Sequence, residues 1–80
     1  MTDVIINFKD HILSITMNRP HKKNALTAPM YATMADAIEM AESDMTVRVI
    51  VIQGVDGIFT AGNDLGDFLA NPPLGLDAPV

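Results

Sequence analysis

Val47-Arg48-Val49-Ile50-Val51-Ile52, then Gln53-Gly54-Val55-Asp56-Gly57, then Ile58-Phe59-Thr60-Ala61-Gly62-Asn63-Asp64-Leu65, is the segment around which the chain is organised. Its first six residues are β-branched and apolar apart from Arg48, the pattern of a strand covered on both faces of a sheet. The five that follow carry two glycines and an aspartate, which turn the chain. Ala61-Gly62 then places small side chains where a ligand can approach the main chain, and Asn63-Asp64 opens a short helix. A backbone N–H at such a strand-to-helix corner can face a substrate oxygen, although small residues after a strand also make ordinary turns.

Working outward, Asp44-Met45-Thr46 leads into that strand from a helix. Thr27-Ala28-Pro29 is a good helix start, because Thr27 can cap and Pro29 lies in the first turn, where its missing N–H costs little. Met30, Met34, Ala37, Ile38 and Ala41 recur at helical spacing to about Ser43, with Thr33, Asp36, Glu39 and Glu42 largely off the stripe. Such a stripe packs on a sheet. Further upstream, Val4-Ile5-Ile6-Asn7-Phe8 and Ile12-Leu13-Ser14-Ile15-Thr16-Met17 are short β-type runs separated by Lys9-Asp10-His11, the spacing of a hairpin. Leu13, Ile15 and Met17 share one apolar face. His11 reads as a solvated turn residue with no role. Asn18-Arg19-Pro20 ends the second strand, since proline offers no N–H to a ladder. Residues 21–25 are then a loop, and strand, helix and strand over residues 12–52 predict an α/β unit with a parallel pair.

Composition narrows the function classes. The chain has 80 residues, no Cys and a hydrophobic share of 49%, with six Met but only one Tyr and three Phe. That is globular composition for one small domain, with no disulfide or thiolate metal site to staple it. The apolar runs are too short to span a bilayer and the first residues lack a signal-peptide pattern, so a cytoplasmic location and no membrane partner are expected. Net charge is −5, unevenly placed: Lys9, Arg19, Lys22 and Lys23 outweigh the acids before residue 27, whereas Arg48 faces all the remaining acids after it. A nucleic-acid partner would call for a broad basic face, and only the spot at residues 19–23 is basic.

The run from Ile58 to Leu65, with Asn18-Arg19-Pro20 and Asn24-Ala25-Leu26 upstream, resembles the N-terminal portion of the enoyl-CoA hydratase/isomerase family, the crotonase superfamily. The resemblance covers nearly all of residues 3–70 in order and spacing. It implies the start of a crotonase-like ββα spiral, as hairpin, helix, parallel strand and short helix, followed in the family by further strands and helices, so that the chain reads as truncated. Residues 1–70 would form this N-terminal part of the domain. Residues 71–80, rich in proline and glycine, read as a loop or frayed end.

The resemblance also implies chemistry on an acyl-CoA thioester of the kind found in fatty-acid metabolism, with negative charge building on the thioester oxygen. Two backbone N–H groups hold that oxygen in the family. By position the first maps to Asn63, directly after Gly62, while the second donor and the acid and base lie in the family's later half. Ala61, Gly62, Asp64 and Leu65 would surround the substrate, with Asp64 serving the local fold more than the chemistry and Leu65 and Phe68 lining or supporting an acyl pocket. The loop matching residues 21–26 runs beside coenzyme A in the family, so that Lys22, Lys23, Ala25 and Leu26 are its expected contacts here. Coenzyme A enters as part of the substrate, and neither a metal nor a redox cofactor is implied. The Gly62-Asn63-Asp64-Leu65 corner is similar to that of the Δ3,Δ2-enoyl-CoA isomerase branch. A homo-oligomer, trimer or pair of trimers, is the family's habit. A non-catalytic binding or assembly fragment of the same fold is the alternative. A nucleotide-binding α/β domain ranks behind both, for want of a Gly-x-Gly-x-x-Gly run.

Overall fold

Asp10 and His11 set the first strand pairing. In the computed structural model, which describes residues 2–70 except the Phe68 side chain, both residues adopt left-handed backbone angles, φ 53° and 66°. A two-residue type I′ hairpin turn demands that of both central residues. Strands β1 (Val4–Lys9) and β2 (Ile12–Met17) accordingly pair antiparallel, with Lys9 opposite Ile12 and Val4 opposite Met17. His11 is exposed but engaged: its carbonyl accepts from the N–H groups of Arg48 and Val49, and its Nδ1 donates to the Thr46 carbonyl at 2.9 Å. The hairpin turn thereby docks the start of β3 (Val49–Gln53), which lies parallel to β2 with Ile12 opposite Val49, in the sheet order β1-β2-β3.

Helix α1 (Ala28–Glu42) starts at the Thr27 cap, whose Oγ1 accepts from the Met30 N–H. It lies over β1 and β2. Leu13, Ile15 and Met17 point into the core with Val4, Met30 and Ala37, and Ile15 is wholly buried. Met34 and Ala41 are partly buried, as their place on the stripe predicts. Ile38, by contrast, is exposed: the stripe is narrower than its apolar residues, because only the side of the helix centred on Met30, Met34, Ala37 and Ala41 meets the sheet.

The strand expected at residues 47–52 begins two residues later, where Val49 pairs with Ile12. Nor is it covered on both faces. Val49, Ile50, Val51 and Ile52 are all exposed, since α1 sits over the other two strands and no described element crosses β3. The region 21–25, read as a loop, contains a 3-10 turn at Pro20–Lys22 that ends in two left-handed residues, Lys23 and Asn24. Farther on, Val55 and Ile58 bridge across a turn formed by Asp56 and Gly57. The Gly54 position tolerates only hydrogen, as a Cβ there would stand 1.9 Å from the Ile58 carbonyl oxygen. Helix α2 (Leu65–Ala70) closes the described chain. The loop or frayed end expected at 71–80 and the Phe68 part of an acyl pocket lie outside the described residues.

An open groove of ≈ 370 Å³ lies between Ile6 and Phe8 of β1 and Met40 and Ala41 of α1. It shares no residue with the corner at 61–64, so the apolar space of this unit and its exposed backbone corner are separate features.

Candidate functional site

The corner is built by hydrogen bonds from the loop at 19–26. The Ala61 N–H donates to the Lys23 carbonyl at 3.0 Å, the Leu26 N–H to the Gly62 carbonyl at 2.7 Å, and the Asp64 N–H to the Leu26 carbonyl at 2.9 Å. Leu26 thus lies opposite Asn63 in a single parallel bridge. Gly62 takes φ +95°, a conformation that side chains other than hydrogen rarely adopt. The Gly62 carbonyl and the Asn63 N–H belong to one trans peptide and point in opposite directions. With the carbonyl held by Leu26, the Asn63 N–H is aimed away from the loop, and among the described residues no acceptor is bonded to it. Asn63 itself is exposed.

Beneath the corner lies Asn24, the one buried polar side chain among the described residues, with no exposed surface. Its Oδ1 accepts from the Arg19 N–H at 2.7 Å, and its Nδ2 donates to the carbonyls of Ile58 and Phe59 at 3.0 and 3.1 Å. Its φ of 56° suits asparagine, which tolerates the left-handed region better than most residues. The side chain therefore clamps the loop at 19–25 to the segment at 58–59 with its polar atoms satisfied, as a buried amide must be.

Arg19 and Asp64 form a second clamp. The guanidinium Nη1 lies 2.7 Å from Asp64 Oδ2 and donates also to the Ala25 carbonyl at 3.0 Å. The other carboxylate oxygen, Asp64 Oδ1, accepts from the Asp67 N–H and so caps α2. Asp67 in turn accepts from the Ala28 N–H at the start of α1. Both carboxylates of the corner are thus engaged in holding helix starts.

The Arg19 hydrogen bond, followed by the Asp67 N–H, holds the Asp64 carboxyl below its ordinary value of 3.8. Because the folded value is depressed, this contribution to stability is complete above the ordinary value and is lost as pH falls through the lower, folded one. Acid should therefore loosen the corner from about pH 4 downward. Asp64→Asn removes that dependence, so thermal melts between pH 6 and 2.5 should show a shallower acid loss in the variant than in the parent. Equal slopes would mean that the pair contributes nothing. The Asp44 carboxyl is also lowered, by the Thr46 hydroxyl and N–H, and contributes equally to both proteins.

The family model described as Enoyl-CoA hydratase/isomerase matches residues 7–78. The chain belongs to that family. It is 35% identical over 71 residues to the enoyl-CoA hydratase EchA19 of Mycobacterium tuberculosis, a match that covers 89% of this chain and 27% of that protein. It is 34% identical over 74 residues to the human enoyl-CoA delta isomerase 2, covering 92% of this chain and 18% of the isomerase. The solved structure of Pseudomonas aeruginosa OdaA superposes with a TM-score of 0.92 and 42% identity over 100% of this chain and 32% of that one. The chain therefore spans under a third of the length of these relatives, and its fold is the N-terminal portion of the crotonase fold.

Of the family residues expected at the site, the structure brings Lys23, Ala25, Leu26, Ala61, Gly62, Asn63 and Asp64 into one hydrogen-bonded unit. Lys22 and Lys23 are exposed on the loop. The basic spot at 19–23 is smaller than its sequence suggests, since the Arg19 charge is matched by Asp64. Leu65 is 75% exposed at the start of α2. Sequence reasoning passed over Asn24 as a structural centre, Thr60, and Tyr31, whose hydroxyl donates to Asn63 Oδ1. The partner of Tyr31 lies 32 residues away and the two acceptors of the Asn24 amide lie 34 and 35 away, so no local pattern announces them.

Proposed function

We propose that the whole protein carrying this sequence acts on an acyl-CoA thioester, and that the Asn63 N–H is one of two donors to the thioester oxygen as it gains negative charge. The observation that carries this reading is the open Asn63 N–H, in a corner whose Ala61, Gly62 and Asp64 N–H groups and Gly62 carbonyl are all engaged. A fixed donor aimed at developing charge needs no reorganisation during the reaction, which is why such donors are worth about two to three powers of ten in rate. The Lys22 and Lys23 loop, bonded directly to the corner, is then placed for the phosphates and adenine of coenzyme A, with Ala25 and Leu26 offering backbone groups.

Relatives named as a hydratase and as an isomerase match at 35% and 34% identity. The reading is accordingly one of thioester enolate chemistry, shared by hydration and double-bond shift, with coenzyme A as part of the substrate and no metal or redox cofactor. It extends to a homo-oligomer, a trimer or pair of trimers, which the exposed apolar side chains of β3 support.

Asp64 and Asp67 are not available as acid and base in this reading, since each holds a helix start. Residues 1–80 expressed alone are therefore expected to turn over neither a 2-enoyl-CoA nor a 3-enoyl-CoA, while the whole protein turns over at least one. Turnover by residues 1–80 within the usual enzyme range, about 1 to 1,000 per second, would show that the acid and base have been sought in the wrong place. Absence of turnover in the whole protein with both thioesters would overturn the function proposed.

A further inference from the structure

Gly62 is held from both sides. Its carbonyl accepts from Leu26, as described above, and its N–H donates to Thr60 Oγ1 at 3.1 Å. The same hydroxyl donates to the Asn24 carbonyl at 2.6 Å. Since a hydroxyl has one proton, giving it to Asn24 leaves only lone pairs towards Gly62, which fixes the sense of both bonds. One side chain therefore takes the Gly62 amide out of contention as a donor and ties the peptide before Gly62 to the buried Asn24 clamp. With the peptides on both sides of Gly62 anchored, its φ of +95° and the direction of the next N–H, that of Asn63, are set together.

We propose that Thr60 is a positioning residue for the thioester reaction: its hydroxyl captures the Gly62 N–H, so that the corner presents the Asn63 N–H to the substrate oxygen. The inference rests on the function proposed above. Thr60 need not touch the substrate; it acts through Gly62. A purely structural threonine would be replaceable by an isosteric valine with losses spread over stability and binding. A positioning hydroxyl acts on the transition state and is recovered by serine, which keeps the oxygen and loses only a methyl group.

The test compares Thr60→Val and Thr60→Ser in the whole protein, with steady-state kinetics on whichever enoyl-CoA the parent turns over and a thermal midpoint for each variant. Thr60→Val is expected to lower kcat about ten- to a hundredfold, less than removal of a donor, with KM changed by less than about threefold. Thr60→Ser should stay within about threefold of the parent in both constants. The Gly62 amide should be protected from hydrogen exchange in the parent and in Thr60→Ser, and lose protection in Thr60→Val. A Thr60→Val variant with parental kcat overturns the proposal, as does an equal loss in both variants or a loss confined to KM. A parent without turnover overturns the functional reading, and the role of Thr60 with it.

Discussion

Gly62→Val in the whole protein is expected to lower kcat on an enoyl-CoA by about two powers of ten or more, while Asn63→Ala keeps most of the activity. A Cβ at Gly62 meets no heavy atom of the described residues within 4 Å, so crowding by them is not the expected source of the loss. It comes from the φ of +95°, which a β-branched residue holds only with strain of about 1–3 kcal/mol. Relieving that strain rotates the flanking peptides and swings the Asn63 N–H off its line. The Asn63→Ala variant loses the hydrogen bond from Tyr31 and keeps the N–H. Affinity for coenzyme A, set in this account by the loop at 21–26, should change little in either. Kinetics paired with a binding measurement separates the two effects. An active Gly62→Val beside a dead Asn63→Ala would make the asparagine side chain the working group.

The second large effect falls on stability. Asn24→Ala leaves the Arg19 N–H and the Ile58 and Phe59 carbonyls without their partner, around a side chain that has no exposed surface. Buried groups left unpaired cost about 1–3 kcal/mol each, and alanine at a left-handed φ adds about 1 kcal/mol. Relaxation recovers part of this, and a net loss of about 3 kcal/mol or more is expected, a fall in thermal midpoint on the order of 10 °C. Asn24→Asp should be no milder, because it keeps the acceptor for Arg19 but sets a carboxylate against two carbonyl oxygens. A loss below about 1 kcal/mol for Asn24→Ala would mean that the clamp is not what holds the segment at 58–59.

Where the determinants are local, the fold is legible in the sequence. The alternation in Ile12–Met17 and the Thr27 cap with Pro29 behind it each fix an element within a few residues, and each is found as expected. Ile50 and Ile52 show the limit. A run of β-branched residues states that a strand is suited to burial, but burial needs a covering layer, and none of the described elements lies over β3. Ile38 fails for a related reason, because an apolar stripe gives a direction and not the width of the contact.

The candidate site divides in the same way. Gly62 and Asn63 could be singled out because small residues after a strand, in the order of a known family, mark a backbone corner. What aims the corner could not, because Asn24, Thr60 and Arg19 are each tied to a group at least 34 residues away, which leaves no spacing signal. Asp64 is instructive: its motif position suggested the corner, while the salt bridge to Arg19, 45 residues away, reveals how it serves there.

In the function proposed, the Asn63 backbone N–H donates to the thioester oxygen. The most direct test of this is the amide proton and nitrogen shift of Asn63 in the whole protein on binding a saturated acyl-CoA, which occupies the site without a double bond to react. A downfield move of the Asn63 amide proton is expected, with the Gly62 amide, already bonded to Thr60, moving little. If the amides of the loop at 21–26 respond to the ligand while Asn63 stays where it was, coenzyme A binds but the thioester oxygen lies elsewhere, and the assignment of the donor is wrong.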